Sequence, residues 1–508
     1  MVEVIKKQAF SKLSLIAMSV AVLAGCGGSG SDDDDVGYVK FYNASYDSPS
    51  IYMTLDEDLD NDDDDEFEQT FSAIAYANAS SRISVESQDY FIELAWQDEE
   101  SSVRSDLEIV YEDQFKVESD VTHWVVMSDS VQSPTVTIFD IPNFDEDQQD
   151  EDSEDDIFNL RLVNLHPTIN DIDVYMSESD ETFNEATLLD SLQTNSLSDN
   201  FRIDEDQYKI YITLSGSSEV LFTSDEINYA FGGQYLLAVR ENQGVGGSPF
   251  VVDNISNSSI TQYDALESTA NVSIFNGLNS NDLVADYDAK IDITINGVTA
   301  IPDIDALEYG AFSEAYVVDS GDYRFSVAND TNDEIFLENR ILSLPQNTNR
   351  TLFLYWTEEE VDDDNDGIVD EDEDGIVDEI RPVITSLVVD NSDRSRLYDK
   401  ELLLLNLVNS DDFSVVSFYF VKSDEIIETA ENSRNVIQGN ASSLILLNNT
   451  YQVFVVASID NNEIILDELS LTLDEDSTDQ FLILEHSDVN SSGYALRSVD
   501  QISGTDDE

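Results

Sequence analysis

The chain has 508 residues, with 22 Lys and Arg against 109 Asp and Glu, for a formal net charge of −87. That balance excludes nucleic acid as a partner, because phosphate neutralisation needs a basic stripe, and it argues against unaided attraction to anionic lipid. Hydrophobic residues still make up 41%, so the acidity does not signal global disorder, and at roughly 100–200 residues per domain the length allows three to five domains.

Residues 1–25 read as a signal peptide. Lys6, Lys7 and Lys12 form a basic start, and Leu13 to Ala24 is an apolar stretch too short to span a bilayer as a permanent helix. It ends in Leu23-Ala24-Gly25-Cys26, and Cys26 is the single cysteine, so no internal disulfide can form. This ending resembles the bacterial lipobox, which implies cleavage before Cys26 and acylation of its thiol. Each buried methylene contributes about 0.8 kcal/mol, so several acyl chains anchor a protein without a transmembrane helix. Residues 26–35 follow as a Gly, Ser and Asp tether that charge repulsion extends. Gly rather than Asp at position 27 fits the outer membrane under the sorting rule of enteric lipoproteins, with the periplasmic or cell-surface face left open.

The remainder is organised by landmarks that recur four times. A strand-like run ends in Asn at Asn43, Asn164, Asn276 and Asn406, and a Tyr opens a later run at Tyr90, Tyr208, Tyr323 and Tyr451. The Asn-to-Tyr separations are 47, 44, 47 and 45 residues, closer than chance allows. A late apolar strand follows in each copy (Trp124 to Val126, Tyr235 to Leu237, Leu352 to Leu354, Phe481 to Ile483), and then a closing strand. About seven short runs of period-2 alternation per copy, punctuated by Gly, Asn, Asp and Ser, predict antiparallel sheets with one face buried and one wet. The expected fold is all-β: four tandem immunoglobulin-like antiparallel β-sandwich domains. They fall at 36–142, 157–254, 269–392 and 393–502, with an acidic linker at 143–156, a linker at 255–268 and an acidic tail at 503–508. Little contact between copies is expected, as in beads on a string.

The opening strand and its sequel resemble the bacterial cell-envelope repeats catalogued as domain of unknown function 4397. Copy one carries Asn43-Ala44-Ser45-Tyr46-Asp47-Ser48-Pro49 and then Ile51-Tyr52; copy two carries Asn164-Leu165-His166-Pro167 and then Ile172-Asp173-Val174-Tyr175. Copies three and four depart, with Gly277 and Leu407 after the Asn and no Pro before the next strand. The resemblance implies an envelope location and a sandwich fold, and it brings no catalytic residue.

Three acidic runs stand out, Asp56 to Glu68, Asp145 to Asp156 and Asp362 to Glu379. The first two read as solvated loop and linker. The third, an insertion at 362–379 in copy three, places Asp362, Asp364, Asp366, Gly367, Asp370 and Glu373 in an Asp-x-Asp-x-Asp-Gly pattern with an acid at the twelfth place. Alternate carboxylates on a tight loop can wrap calcium, with the Ile368 carbonyl at the seventh position. The unit recurs as Asp370, Asp372, Asp374, Gly375 and Asp378, with Arg381 at its twelfth place. This tandem is similar to the calcium-wrapping aspartate repeats of thrombospondin type 3, and strand-like flanks make it a structural insertion rather than a helical switch.

No catalytic residue is assigned. His123, His166 and His486 are the only histidines and occupy unlike positions in unlike copies, and no nucleophile elbow, zinc-protease or phosphate-loop motif is present. Trp96, Trp124 and Trp356 read as core residues rather than sugar platforms. The sequence therefore points to a non-enzymatic envelope lipoprotein, membrane-held by lipid, that binds, adheres or assembles through an envelope protein or surface glycan. The alternative is a glycan-binding or glycan-hydrolysing surface lipoprotein, since hydrolysis needs only two placed carboxylates.

Overall fold

The computed structural model describes residues 36–57, 67–98, 106–143, 157–281, 283–361, 380–410, 412–487 and 489–501. Cys26, the tether and the whole calcium insertion lie outside them. The described residues form four two-sheet β-sandwich units, with a 3₁₀ turn at Ile427–Thr429. No helix among them is long and apolar enough to cross a membrane.

All four units share one plan. In unit one, the opening strand Val36–Asn43 lies beside the late strand Val121–Ser128, which turns back into Thr135–Pro142. The facing sheet is built on Ile51–Asp56, Asp89–Trp96 and Glu108–Lys116. Thr269–Gly277, Asn349–Glu360 and Ile380–Asp390 repeat the first sheet in unit three, and Asp399–Asn406, Gln480–His486 and Tyr494–Asp500 repeat it in unit four. Opening and late strands run parallel in every unit, with Phe41 opposite Val125, Leu162 opposite Leu237, Phe275 opposite Phe353 and Leu405 opposite Ile483. Period-2 alternation carries no strand direction, so this parallel pair is invisible to it. Each unit has eight to ten strands rather than seven. The excess comes from pieces such as Asn78–Ala79 and Ile83–Glu86, edge strands too short to show a period.

One boundary moves. Ile260–Tyr263, in the segment read as a linker at 255–268, pairs with Phe250–Ile255 and extends the sheet of unit two. The arms flanking the Asp-rich insertion pair without interruption from Arg350↔Asp390 to Glu360↔Ile380, so the insertion does sit between the last two strands of unit three.

The separate beads are corrected outright. The opening strand of unit one sends Val39 and Phe41 into its own core, but Tyr42 and Ala44 into a second cluster. That second cluster joins Trp124, Val126, Phe139 and Ile141 to Val163, Leu165, Leu236, Ala238 and Ile255 of unit two. Units three and four meet in the same way, through Phe275, Phe353 and Tyr355 against Leu403, Leu405, Phe481 and Ile483. The physical reason is that the parallel-paired sheets are apolar on both faces, and the outer face has to be covered. The residue just before each landmark Asn (Tyr42, Val163, Phe275, Leu405) belongs to these interfaces.

Polar contacts tie the two pairs together. Asn347 of unit three exchanges amide hydrogen bonds with Asn242 of unit two at 3.1 and 2.9 Å. The connector before unit four reaches unit one: Leu397 N donates to Asp47 O at 3.2 Å, and Tyr398 stacks on Trp96 with ring centroids 4.6 Å apart.

Candidate functional site

The recurrent landmarks prove to be fold devices. Each landmark Asn is fully buried. Its Oδ1 accepts from the backbone N–H two residues on, at Ser45, His166, Leu278 and Val408. Its Nδ2 donates to a main-chain carbonyl, such as Ile74 O at 3.0 Å or Leu307 O at 2.8 Å. This Asx turn steers the chain out of one sheet toward the next strand, which is why the residue type recurs. The landmark Tyr side chains are buried too, and Tyr208, Tyr323 and Tyr451 donate to the carbonyls of Asp204, Asp319 and Leu447, each four residues earlier, at 2.7–2.9 Å. That is the tyrosine corner of immunoglobulin-like sandwiches.

The three histidines stay apart and are spent on local structure. His123 Nε2 accepts from Glu118 N at 2.8 Å, which leaves Nδ1–H to face Asp140 at 2.7 Å. His166 Nδ1 accepts from Thr168 N and Ile169 N, and burial keeps its pKa below the usual imidazole value. His486 Nε2 lies 2.9 Å from Asn409 O. Trp124 and Trp356 are buried, the latter donating to Asn279 O at 3.0 Å. Among the described residues no group of three or more His, Cys, Asp or Glu side chains is placed to hold a metal. The candidate calcium ligands Asp362, Asp364, Asp366, Ile368, Asp370, Asp372, Asp374 and Asp378, with Glu373, and the lipidation residue Cys26 lie outside those residues.

The concentration of chemistry that sequence reading missed lies where the units meet. Arg240 and Asp253 come from neighbouring antiparallel strands of unit two, Gln234–Glu241 and Phe250–Ile255. The Arg240 Nε donates to Asp253 Oδ2 at 2.6 Å, Nη2 to Gln262 Oε1 at 2.5 Å and Nη1 to the Tyr76 hydroxyl of unit one at 2.9 Å. Burial works against the guanidinium's charge, yet the Asp253 carboxylate beside it holds its pKa above the ordinary value. Tyr42 of unit one donates to Asp253 from the other side, and burial together with that carboxylate keeps its phenol protonated.

Arg394, in the connector to unit four, packs its guanidinium over the Tyr76 ring at 4.7 Å, while Arg240 lies 5.0 Å from the same centroid. Arg394 Nε donates to Tyr46 O at 2.7 Å and Nη2 to Ser48 O. These groups line a cleft of about 510 Å³ shared by units one, two and three and the connector, with Asn78, Asn347 and Asp393 at its walls. A sequence signal existed: Arg240 and Asp253 each interrupt an otherwise apolar strand in a chain with few basic residues. Pairing them required the strand register.

Lys40 gives the same interface a second polar contact. It lies over Trp124 at 4.9 Å and donates to the carbonyls of Ser256 and Asn257 in unit two. Burial, aided by Arg82, lowers its pKa to about 8.

No family model matches the chain, and no curated protein matches it. Solved structures similar to it include the Bacillus anthracis TIE protein, at 8% identity and a TM-score of 0.15, over 90% of this chain and 75% of that one. A product complex of a multi-modular glycogen-degrading pneumococcal virulence factor aligns at 10% identity and a TM-score of 0.12, over 62% of this chain and 38% of that one. The major pilin subunit of Bacillus cereus aligns at 9% identity and a TM-score of 0.13, over 89% of this chain and 99% of that one. At such values the likeness carries no argument about this chain, and no residue role is carried over.

Proposed function

We propose that the chain is a non-enzymatic envelope lipoprotein, tethered through Cys26, that acts as a preassembled binding or assembly module. The observation that carries this reading is where the repeated residues are used. The Asn and Tyr that the four units share are buried, and every Asn and three of the four Tyr are hydrogen-bonded to backbone, so they serve the fold. What differs between units is the loops, and the interfaces in the two apolar clusters hold those loops in fixed relation. A block of this kind presents several unlike surfaces at once. The Asp-rich insertion belongs to the same reading: calcium bound there would stiffen the tip of the Asn349–Glu360 and Ile380–Asp390 hairpin.

The test is in-cell cross-linking followed by capture of the chain, run beside a Cys26→Ser variant and a polysaccharide digest with product analysis. The reading expects an envelope protein or surface glycan in the capture, and release of the variant from the membrane fraction. Polysaccharide turnover abolished by a single Asp or Glu substitution would replace it with the enzymatic alternative.

A further inference from the structure

We propose that the cleft between the units binds a carboxylate-bearing sugar unit, with Arg394 as its contact to the anion. In a chain of net charge −87, basic side chains are expected to be paired. Arg240 has Asp253, and Arg396 has Asp399, Glu401 and Asp479 within 3.1–3.6 Å. Arg394 has no carboxylate within ion-pair distance among the described residues. Its bonds go to the carbonyls of Tyr46 and Ser48, which orient the guanidinium without neutralising it. Asp399 and Asp479 act on it only at longer range, being turned to Arg396.

A poorly compensated, largely buried cation is costly unless something else supplies the counter-charge. Burial, with Arg396 nearby, has lowered the Arg394 pKa to about 10, in keeping with that cost. Arg394 nonetheless lines an open cleft rather than a sealed core, so an anion can reach it. One uncompensated guanidinium calls for one negative charge. Asp253 and Asp393 in the same lining disfavour a doubly charged phosphate. The rest of the wall mixes side-chain amides (Asn78, Gln262 and Asn347 among them) with apolar side chains such as Val251 and Ile260, which suits both the hydroxyl groups and the C–H face of a sugar. A volume of about 510 Å³ is in the range of small-molecule sites and admits one or two sugar units.

The site goes beyond the envelope reading and is measured on the purified chain, so either can fail alone. Titration calorimetry of the full chain with glucuronate, glucose, acetate and inorganic phosphate decides it. Glucuronate should bind more tightly than the other three. Arg394→Gln should weaken it by at least about tenfold, the value of one lost charge-assisted contact, and Arg394→Lys should recover part of the loss. Because Arg394 also holds Tyr46 and Ser48, a second variant is needed. Asn78→Glu leaves those bonds in place and puts a carboxylate at an exposed position of the cleft wall, so it should cut glucuronate binding with an unchanged thermal melt. The proposal is overturned if glucuronate shows no heat at about 10 mM, if acetate, glucose or phosphate binds as well, or if Asn78→Glu and Arg394→Gln bind like the parent.

Discussion

The Tyr42 hydroxyl donates to Asp253 Oδ2 at 2.5 Å across the boundary between units one and two, and the same carboxylate oxygen accepts from Arg240 Nε at 2.6 Å. One buried carboxylate thus serves both an ion pair within a unit and a hydrogen bond between units. Tyr42→Phe should remove only the second and cost about 1.5–3 kcal/mol, as hydrogen bonds to charged groups do. Asp253→Asn strands Arg240 as a buried cation and should cost more, about 3–5 kcal/mol. Urea denaturation of both variants checks the order; a Tyr42→Phe variant as stable as the parent would mean the tyrosine bond adds nothing.

The landmark Asn residues make a sharper claim. Asn276→Ala removes the Leu278 N–H acceptor and the donor to Leu307 O in one step. Leaving those buried groups unpaired should cost about 2–4 kcal/mol. Asn276→Asp keeps the acceptor but turns a buried carboxylate oxygen toward the Leu307 carbonyl, so its loss should be at least as large as that of Ala. A neutral Ala variant by denaturant midpoint would show that the repeated Asn is not a fold device.

The interfaces between units should behave as cores. Phe353→Ala empties part of the cluster joining units three and four, and a loss of about 3–5 kcal/mol is expected. Small-angle scattering should report a larger radius of gyration if the pair comes apart. Ile341, which is 74% exposed on an outer strand, is the control: Ile341→Ser should change stability by no more than about 0.5 kcal/mol.

Lys40 sets a pH dependence. Its pKa is lowered from 10.5 to about 8 in the folded chain, mainly by burial. Between those values the unfolded chain holds a proton that the folded chain has released, so stability from this group rises with pH across that window. Below about pH 8 both states are protonated, and the cost of burying the charge is felt in full. Lys40→Met should remove this slope and leave a flatter stability curve from pH 8 to 10.5. A variant with the parent's slope would assign it to another group.

Calcium should act on the hairpin of unit three. With millimolar calcium we expect a higher melting temperature for the chain, lost on chelation and in an Asp366→Asn, Asp374→Asn double variant. An unchanged melt on adding calcium would reject a structural ion there.

The sandwich class and the fourfold repeat were legible because Asn, Tyr and the alternating runs are set by local geometry. Asn43 and Tyr323 could be found by spacing alone, although their roles needed coordinates. The packing of units was also written in the sequence, in runs such as Leu402 to Leu405 that are apolar at every position rather than every second one. Reading them as half-wet strands hid the second buried face. The cleft was not legible, because Tyr76, Arg240 and Arg394 lie more than a hundred residues apart and meet only after three units have docked.

The parallel pairing of opening and late strands has a consequence for synthesis. Val36–Asn43 leaves the ribosome first, yet its partner Val121–Ser128 follows only near the end of the unit. Until then the opening strand is paired along one edge only, by short strands such as Ile83–Glu86, and its long-range closure is slow. Each unit is therefore a clasp that shuts late, four times over. Holding proteins that recognise such segments would be needed most just before each late strand emerges.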